Sequence, residues 1–186
     1  MQHWQETLPF DFSHPIINET FTETSLFFDI ETTGFSPART SLYLIGCAAR
    51  QGDNLIVDQF FADSPEEEQE VLTAFFTYLE HFQTVITFNG IGFDIPYLKS
   101  KCSTYGLCEP FSSHEYLDIY KVVSKLKFLL HLPNLKQKTI EQFLGIGRED
   151  TYNGGELIEV YQSYVRSRSP KDLHLLKQHN YEDVID

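Results

Sequence analysis

Residues 25–34, Ser-Leu-Phe-Phe-Asp-Ile-Glu-Thr-Thr-Gly, place two demands on any fold this chain adopts. The run SLFFDI is short, apolar and aromatic, as a buried strand is. Alternation along a strand puts Asp29 and Glu31 on one face and Ile30 on the other. Two carboxylates on one face of a core strand repel each other, and withdrawing each from water costs several kcal/mol. Such a pair needs a partner, for which a divalent cation is the usual choice. The alternative is that both acids lie past the strand end in water and cap the turn Thr33-Gly34-Phe35-Ser36-Pro37.

The remaining pattern predicts an α/β chain. Two β-rich runs, Leu42–Ala49 and Leu55–Ala62, flank Gln51-Gly52-Asp53-Asn54 and predict a hairpin. Ser64-Pro65-Glu66-Glu67 opens a helix with a serine cap, proline at the first position and glutamate three residues after the cap. Val71, Leu72, Phe75, Phe76 and Leu79 then keep helical spacing. Thr84–Phe88 predicts a second buried strand, residues 93–105 a helix, and Tyr116–Ile119 a short strand. Asp118 is placed to cap a helix over Ile119–Leu130. Helical patterns follow over Leu135–Leu144, Glu156–Arg166 and a last segment opened by Ser169-Pro170-Lys171-Asp172. Strands come early and helices alternate then dominate, so a central sheet with flanking helices is expected. Residues 1–24 read as an irregular polar arm and 25–186 as one domain, which ends three residues after Asp183 inside a helical pattern, as a fragment would.

Two further acidic clusters sit at element ends. Thr87-Phe88-Asn89-Gly90-Ile91-Gly92-Phe93-Asp94 follows a buried strand, where ligands bind in open α/β sheets. Asp94 alone equally fits a helix cap. In His179-Asn180-Tyr181-Glu182-Asp183, His179 and Asp183 are four apart and share a helical face. A lone pair of this kind equally fits a polar surface. The three cysteines, Cys47, Cys102 and Cys108, form no Cys-x-x-Cys pair and read as buried thiols in a reducing cytoplasm. No run approaches a membrane span, and the N-terminus lacks the basic start and apolar core of a leader.

The formal net charge of −13 is uneven: residues 1–98 carry 15 acidic and 2 basic side chains, while residues 99–186 are neutral overall. A phosphate-binding surface would have to draw on Lys121, Lys125, Lys127, Lys136, Lys138, Arg148, Arg166 and Arg168. Solvated helix faces are the plainer reading for most of them. Bound divalent ions would reverse the local field for a polyanion.

Asp-x-Glu-Thr-Thr-Gly, then Asn-Gly-x-x-Phe-Asp, then a C-terminal helix bearing Asp resembles the DEDD (DnaQ-like) 3′-5′ exonuclease superfamily of ribonuclease H-like fold. TFNGIGFDIPYL, LKQKTIEQFLGIGRED and HNYEDV resemble its bacterial YprB-type predicted exonuclease domain, so that the likeness spans about residues 25–186. The resemblance implies a mixed sheet whose second strand is antiparallel. It implies a metal set of Asp29, Glu31, Asp94 and Asp183, with Asp29 bridging two ions and Asp94 supporting the second. Thr33, Gly34 and Phe35 match a loop that seats the terminal nucleotide, although Phe35 reads equally as a core residue. Asn89 matches a substrate-contacting residue and Asp118 a structural one. Relatives carry Tyr four residues before the last Asp or His five before it; here His179 stands four before.

The implied chemistry is hydrolysis of single-stranded DNA or RNA ends in the 3′-to-5′ direction. Two Mg²⁺ or Mn²⁺ ions about 4 Å apart would activate water and stabilise both oxygens of an in-line displacement. Four carboxylates suit these hard ions and not zinc. The imidazole of His179 suits acceptance or orientation of the water's proton. Two other readings fit the same residues: a silent module of this fold that binds nucleic acid or protein, and a phosphodiesterase acting on small nucleotides.

Overall fold

The computed structural model describes all 186 residues. Six strands form one sheet: β1 (Gln2–Pro9), β2 (Ser25–Thr32), β3 (Leu42–Gln51), β4 (Asn54–Phe61), β5 (Thr84–Thr87) and β6 (Glu115–Asp118). Their order is β1-β4-β3-β2-β5-β6. β2, β5 and β6 run parallel, while β3 is antiparallel to β2, β4 to β3 and β1 to β4. The sheet is therefore mixed, and the expected hairpin is the β3–β4 pair, closed at Gln51↔Asn54 with Gly52 at φ +61°. Seven helices complete the chain: α1 (Pro15–Thr20), α2 (Glu68–Leu79), α3 (Asp94–Tyr105), α4 (Ile119–Leu126), α5 (Gln137–Leu144), α6 (Gly154–Ser167) and α7 (Pro170–Ile185). None is long and apolar enough to cross a membrane.

Four expectations are corrected. The segment expected to be irregular contains β1, an edge strand paired with β4 from Gln2↔Phe61 to Pro9↔Asn54, and the short α1. Its QHWQETLP sequence hides this because an edge strand needs only one side and few apolar positions; His3 stacks on Phe60 and Trp4 packs on Phe61. Ser64 makes no side-chain cap, since Glu67 turns back to accept from the Asp63 amide at 2.7 Å and a single 3₁₀ turn precedes α2. α4 ends at Leu126, four residues early, and Phe128 and Leu129 beyond it are exposed. Cys47 and Cys102 are buried thiols, but Cys108 is exposed.

The two faces of β2 have different fates. Leu26, Phe28 and Ile30 join the main apolar cluster with Val71, Leu72 and Phe75 of α2 and Leu98 of α3. Each such burial contributes roughly 1.5–3 kcal/mol. The opposite face carries Asp29 and Glu31 and is covered by α7, which crosses β2, β3 and β4. Gly46 permits that crossing. It pairs with Asp29 on one side and Gln59 on the other. A Cβ there would lie 2.1 Å from Asn180 Oδ1 and 2.7 Å from a Val184 methyl. Gly46→Ala should therefore push α7 off the sheet and cost about 1–3 kcal/mol, read as a lowered Tm with the secondary-structure spectrum retained.

Candidate active site

β2 and β5 pair only over Ser25↔Thr84 to Phe27↔Ile86, and β5 ends at Thr87. Beyond that point the outer backbone of β2 has no strand beside it. Asp94, the first residue of α3, fills the gap: its Oδ1 accepts the Ile30 amide at 3.2 Å. This fixes the Asp94 carboxyl beside Asp29, and it is not a capping role, because α3 has no side-chain cap. The connecting turn is held from β6. Asp118 accepts the amides of Asn89 at 2.9 Å and Ile91 at 3.3 Å, with Asn89 at φ +62°. Asp118 thus braces this turn and does not cap α4 with its carboxylate.

α7 supplies the other half. It opens where expected: Ser169 caps it by accepting the Asp172 amide, and Pro170 starts the helix. One turn separates His179 and Asp183, and both face the β2 acids. His179 Nε2 lies 3.6 Å from Glu31 Oε1 and 3.3 Å from Asp183 Oδ2. One donor atom each from Glu31, His179 and Asp183 lie within 4.8 Å of one another. Asn180 donates to Asp29 Oδ2 at 3.4 Å and is itself held by Gln59 at 3.0 Å. The Tyr43 hydroxyl approaches Glu31 Oε2 at 3.5 Å. The structure therefore brings all five expected residues to one place, on three elements.

Their electrostatics are those of an acid cluster short of positive charge. Burial, then the charges of Asp94, Asp183 and Glu31, push the Asp29 carboxyl well above its ordinary value. Burial, followed by Asp183 and Asp94, does the same to Glu31. Asp94 is raised to about 7, chiefly by burial, against the opposing pull of its backbone hydrogen bonds. A divalent cation among these oxygens would remove both the desolvation cost and the repulsion. The donor set fits one: the hard carboxylate oxygens of Asp29, Glu31, Asp94 and Asp183, with the His179 imidazole beside them.

A cleft of about 480 Å³ opens beside Asp29 and Asp94, lined also by Phe35, Asn89, Tyr120 and Lys136. Phe35 is not a core residue; it is 89% exposed and meets Phe93 edge-on at 5.8 Å. Its loop is braced where Thr33 pairs with Ser41, and where Thr40 bonds the Gly34 carbonyl. Lys101 of α3 holds the Thr40 carbonyl at 2.6 Å. Gly34 sits at φ +148°, and a Cβ there would come 2.9 Å from the Thr40 methyl. Of the basic residues considered for phosphate, Lys136 lines the cleft, whereas Lys138 pairs with Asp150 and Arg148 is buried among acids. Arg148, Asp150, Asn180 and Gln59 were not singled out as site residues from the sequence. Arg148 and Asp150 lie in the stretch Gly-Arg-Glu-Asp, which begins two residues after the glycine that ends α5.

Mixed sheet, flanking helices and an acid cluster at the end of the central strands define a ribonuclease H-like α/β protein. The sequence matches the RNase_H superfamily over residues 26–186, and the chain belongs to that family. A family B DNA polymerase from the archaeon Pyrobaculum calidifontis is similar in structure at TM-score 0.66 and 18% identity, covering 86% of this chain and 23% of the polymerase. A zinc-bound E. coli exonuclease I–single-stranded DNA complex is similar at TM-score 0.54 and 16% identity, covering 89% of this chain and 46% of that one. A product-bound exonuclease I is similar at 0.51 and 16%, covering 87% and 48%. The chain spans a quarter to a half of the length of these solved chains. No curated protein matches it.

The Asp94 shift has a definite consequence for stability. In the metal-free fold Asp94 keeps its proton up to about pH 7, whereas in the unfolded chain it loses it near pH 4. The folded state binds more protons over that interval, so stability falls as pH rises from about 4 to about 7 and is level beyond. Asp94→Asn cannot ionise and its amide oxygen can still accept the Ile30 amide. Its stability advantage over the parent in chelator should grow across that range, reaching on the order of a few kcal/mol, and is read as a widening Tm difference in thermal melts at stepped pH.

Proposed function

We propose that this chain is a divalent-metal-dependent 3′-to-5′ exonuclease that hydrolyses phosphodiester bonds at single-stranded nucleic-acid ends. The observation that carries this reading is the convergence of Glu31, His179 and Asp183 within 4.8 Å, beside Asp29 and Asp94, at the edge of an open cleft. Asp29, Glu31, Asp94 and Asp183 would hold the metal, as one or two Mg²⁺ or Mn²⁺ ions. When bound, these supply Lewis acidity toward phosphate oxygens and a water of lowered pKa.

The chain's own groups have separate parts. The Ile30 amide keeps the Asp94 carboxylate in place, and Asn180 does the same for Asp29. His179 offers Nε2 beside Glu31 and Asp183, where it would accept or orient the proton of an attacking water. Phe35 presents an open aromatic face at the rim, suited to stacking on a terminal base. Thr33 and Gly34 set its loop, Asn89 offers an exposed amide, and Lys136 offers a cation for phosphate. A strand end reaching past Phe35 places its last linkage near the acids. The 3′-to-5′ direction rests on the family's motif pattern, and the single-stranded substrate is supported by the DNA complex of the structurally similar exonuclease I.

The acidic first half of the chain favours one rival, a phosphodiesterase that takes a single small nucleotide and no strand. Two measurements separate these outcomes. Asp29→Asn should lower Mn²⁺-dependent release of mononucleotides from a labelled ten-mer by at least a hundredfold while the Tm holds or rises. Equal release by mutant and parent, or none by either, would sink the nuclease reading. Faster turnover of a dinucleotide than of the ten-mer would favour the rival.

A further inference from the structure

The loop between α5 and α6 sends two oppositely charged side chains against the buried side of α7, one to each of its site residues. Asp150, whose side chain is 3% exposed, places Oδ2 2.5 Å from His179 Nδ1. That carboxylate is held from three more directions: Lys138 Nζ at 2.7 Å, the Tyr152 amide at 2.9 Å on Oδ1, and the Arg148 guanidinium at 3.7 Å. Arg148, 7% exposed, sets Nη1 2.5 Å from Asp183 Oδ1 and 3.1 Å from both Glu141 oxygens. Its Nε lies 3.3 Å from Glu182 Oε2, and Nη2 donates to the His179 carbonyl at 3.3 Å. The loop is itself tied to α7, since the Asp150 amide donates to Glu182 at 3.0 Å.

These contacts choose which atom each site residue presents. An imidazole with one nitrogen donating to a fixed carboxylate keeps its proton there and turns the other nitrogen outward. With Nδ1 committed to Asp150, Nε2 is the atom left facing Glu31 and Asp183. With Oδ1 of Asp183 committed to Arg148, Oδ2 is the oxygen left facing His179. A helix alone cannot do this, because a His and an Asp one turn apart retain free rotamers and both histidine tautomers. The cost is a buried arginine among four carboxylates, and an ion network of that kind adds little net stability.

We propose that Arg148 and Asp150 are positioning residues for the site, Asp150 fixing the Nδ1-protonated form of His179 and Arg148 leaving Asp183 a single oxygen for the metal. This rests on the nuclease reading for its effect on rate, but the tautomer and the metal affinity are readable without any turnover. In the Mg²⁺-loaded full chain, nitrogen-15 NMR of His179 should show Nδ1 bearing the proton and Nε2 bare. Asp150→Asn, which keeps the shape, should mix the two tautomers and lower kcat about 10- to 100-fold with KM within about twofold. Arg148→Lys keeps the charge and loses the fork, so Mn²⁺ binding by electron paramagnetic resonance should weaken about tenfold. A proton on Nε2 in the loaded parent, or an unchanged tautomer in Asp150→Asn, would overturn the role of Asp150. Unchanged Mn²⁺ affinity in a folded Arg148→Lys would overturn that of Arg148. If the Lys variant does not fold, Arg148→Gln replaces it: lost repulsion alone predicts tighter Mn²⁺ binding, lost positioning predicts weaker. An inactive parent with Nδ1-protonated His179 would remove the nuclease reading and leave the positioning intact.

Discussion

The burial of like charges beneath α7 is the constraint around which the rest of this molecule is arranged. Asp29 and Glu31 lie on a central strand, half-buried and buried respectively, on the face that the helix covers. Each carboxylate raises the cost of ionising its neighbours, and withdrawal from water adds to it. What keeps the arrangement standing is a set of short-range partners. The Ile30 amide fixes Asp94, Asn180 meets Asp29, Tyr43 approaches Glu31, and Arg148 neutralises Asp183. Nearly every one of these partners is contributed by a different element, so the site is also the junction that ties β2, β3, α3 and α7 together.

That junction depends on backbone geometry as much as on charge. β5 stops short, which frees an amide of β2 for a side chain to take. Gly46 removes the side chain opposite Asp29, which lets α7 settle close enough for Asn180 to bridge Asp29 and Gln59. A register shift after Glu31 ends the regular pairing of β2 with β3 and lets the Thr33–Phe35 loop turn away toward the cleft. A strand and two helices thus hold the acids, while an exposed loop carries the aromatic rim. Under the proposed exonuclease function, such a division keeps the charges fixed while the rim meets an entering strand.

Much of this plan was legible in the sequence, and for identifiable reasons. The hairpin, the strand carrying Asp29 and Glu31, and the helix with His179 and Asp183 follow from side-chain periods of two and of about 3.6. Those periods depend only on neighbouring residues. β1 was missed because an edge strand is solvated on one side and has little apolar signal. Asp118 was given a cap because a capping Asp and a bracing Asp look alike until the turn it braces is seen in space. Phe35 stayed ambiguous for a similar reason, since an aromatic after a turn fits a core as well as a rim; its exposure decides in favour of the rim.

The sequence by itself determined the chemistry on offer: which carboxylates exist, that Asp29 and Glu31 share a strand face, and that His179 and Asp183 share a helix face. Tertiary structure alone decided how those pairs meet and which atoms they show one another. Contacts between residues 31 and 179, 30 and 94, or 148 and 183 span chain separations that no local period encodes. Arg148 and Asp150 illustrate the limit best. In sequence they are a charged stretch after a glycine, indistinguishable from a solvated loop. Only the packing of that loop on α7 buries them, and burial is what turns two surface charges into constraints on the atoms of a site.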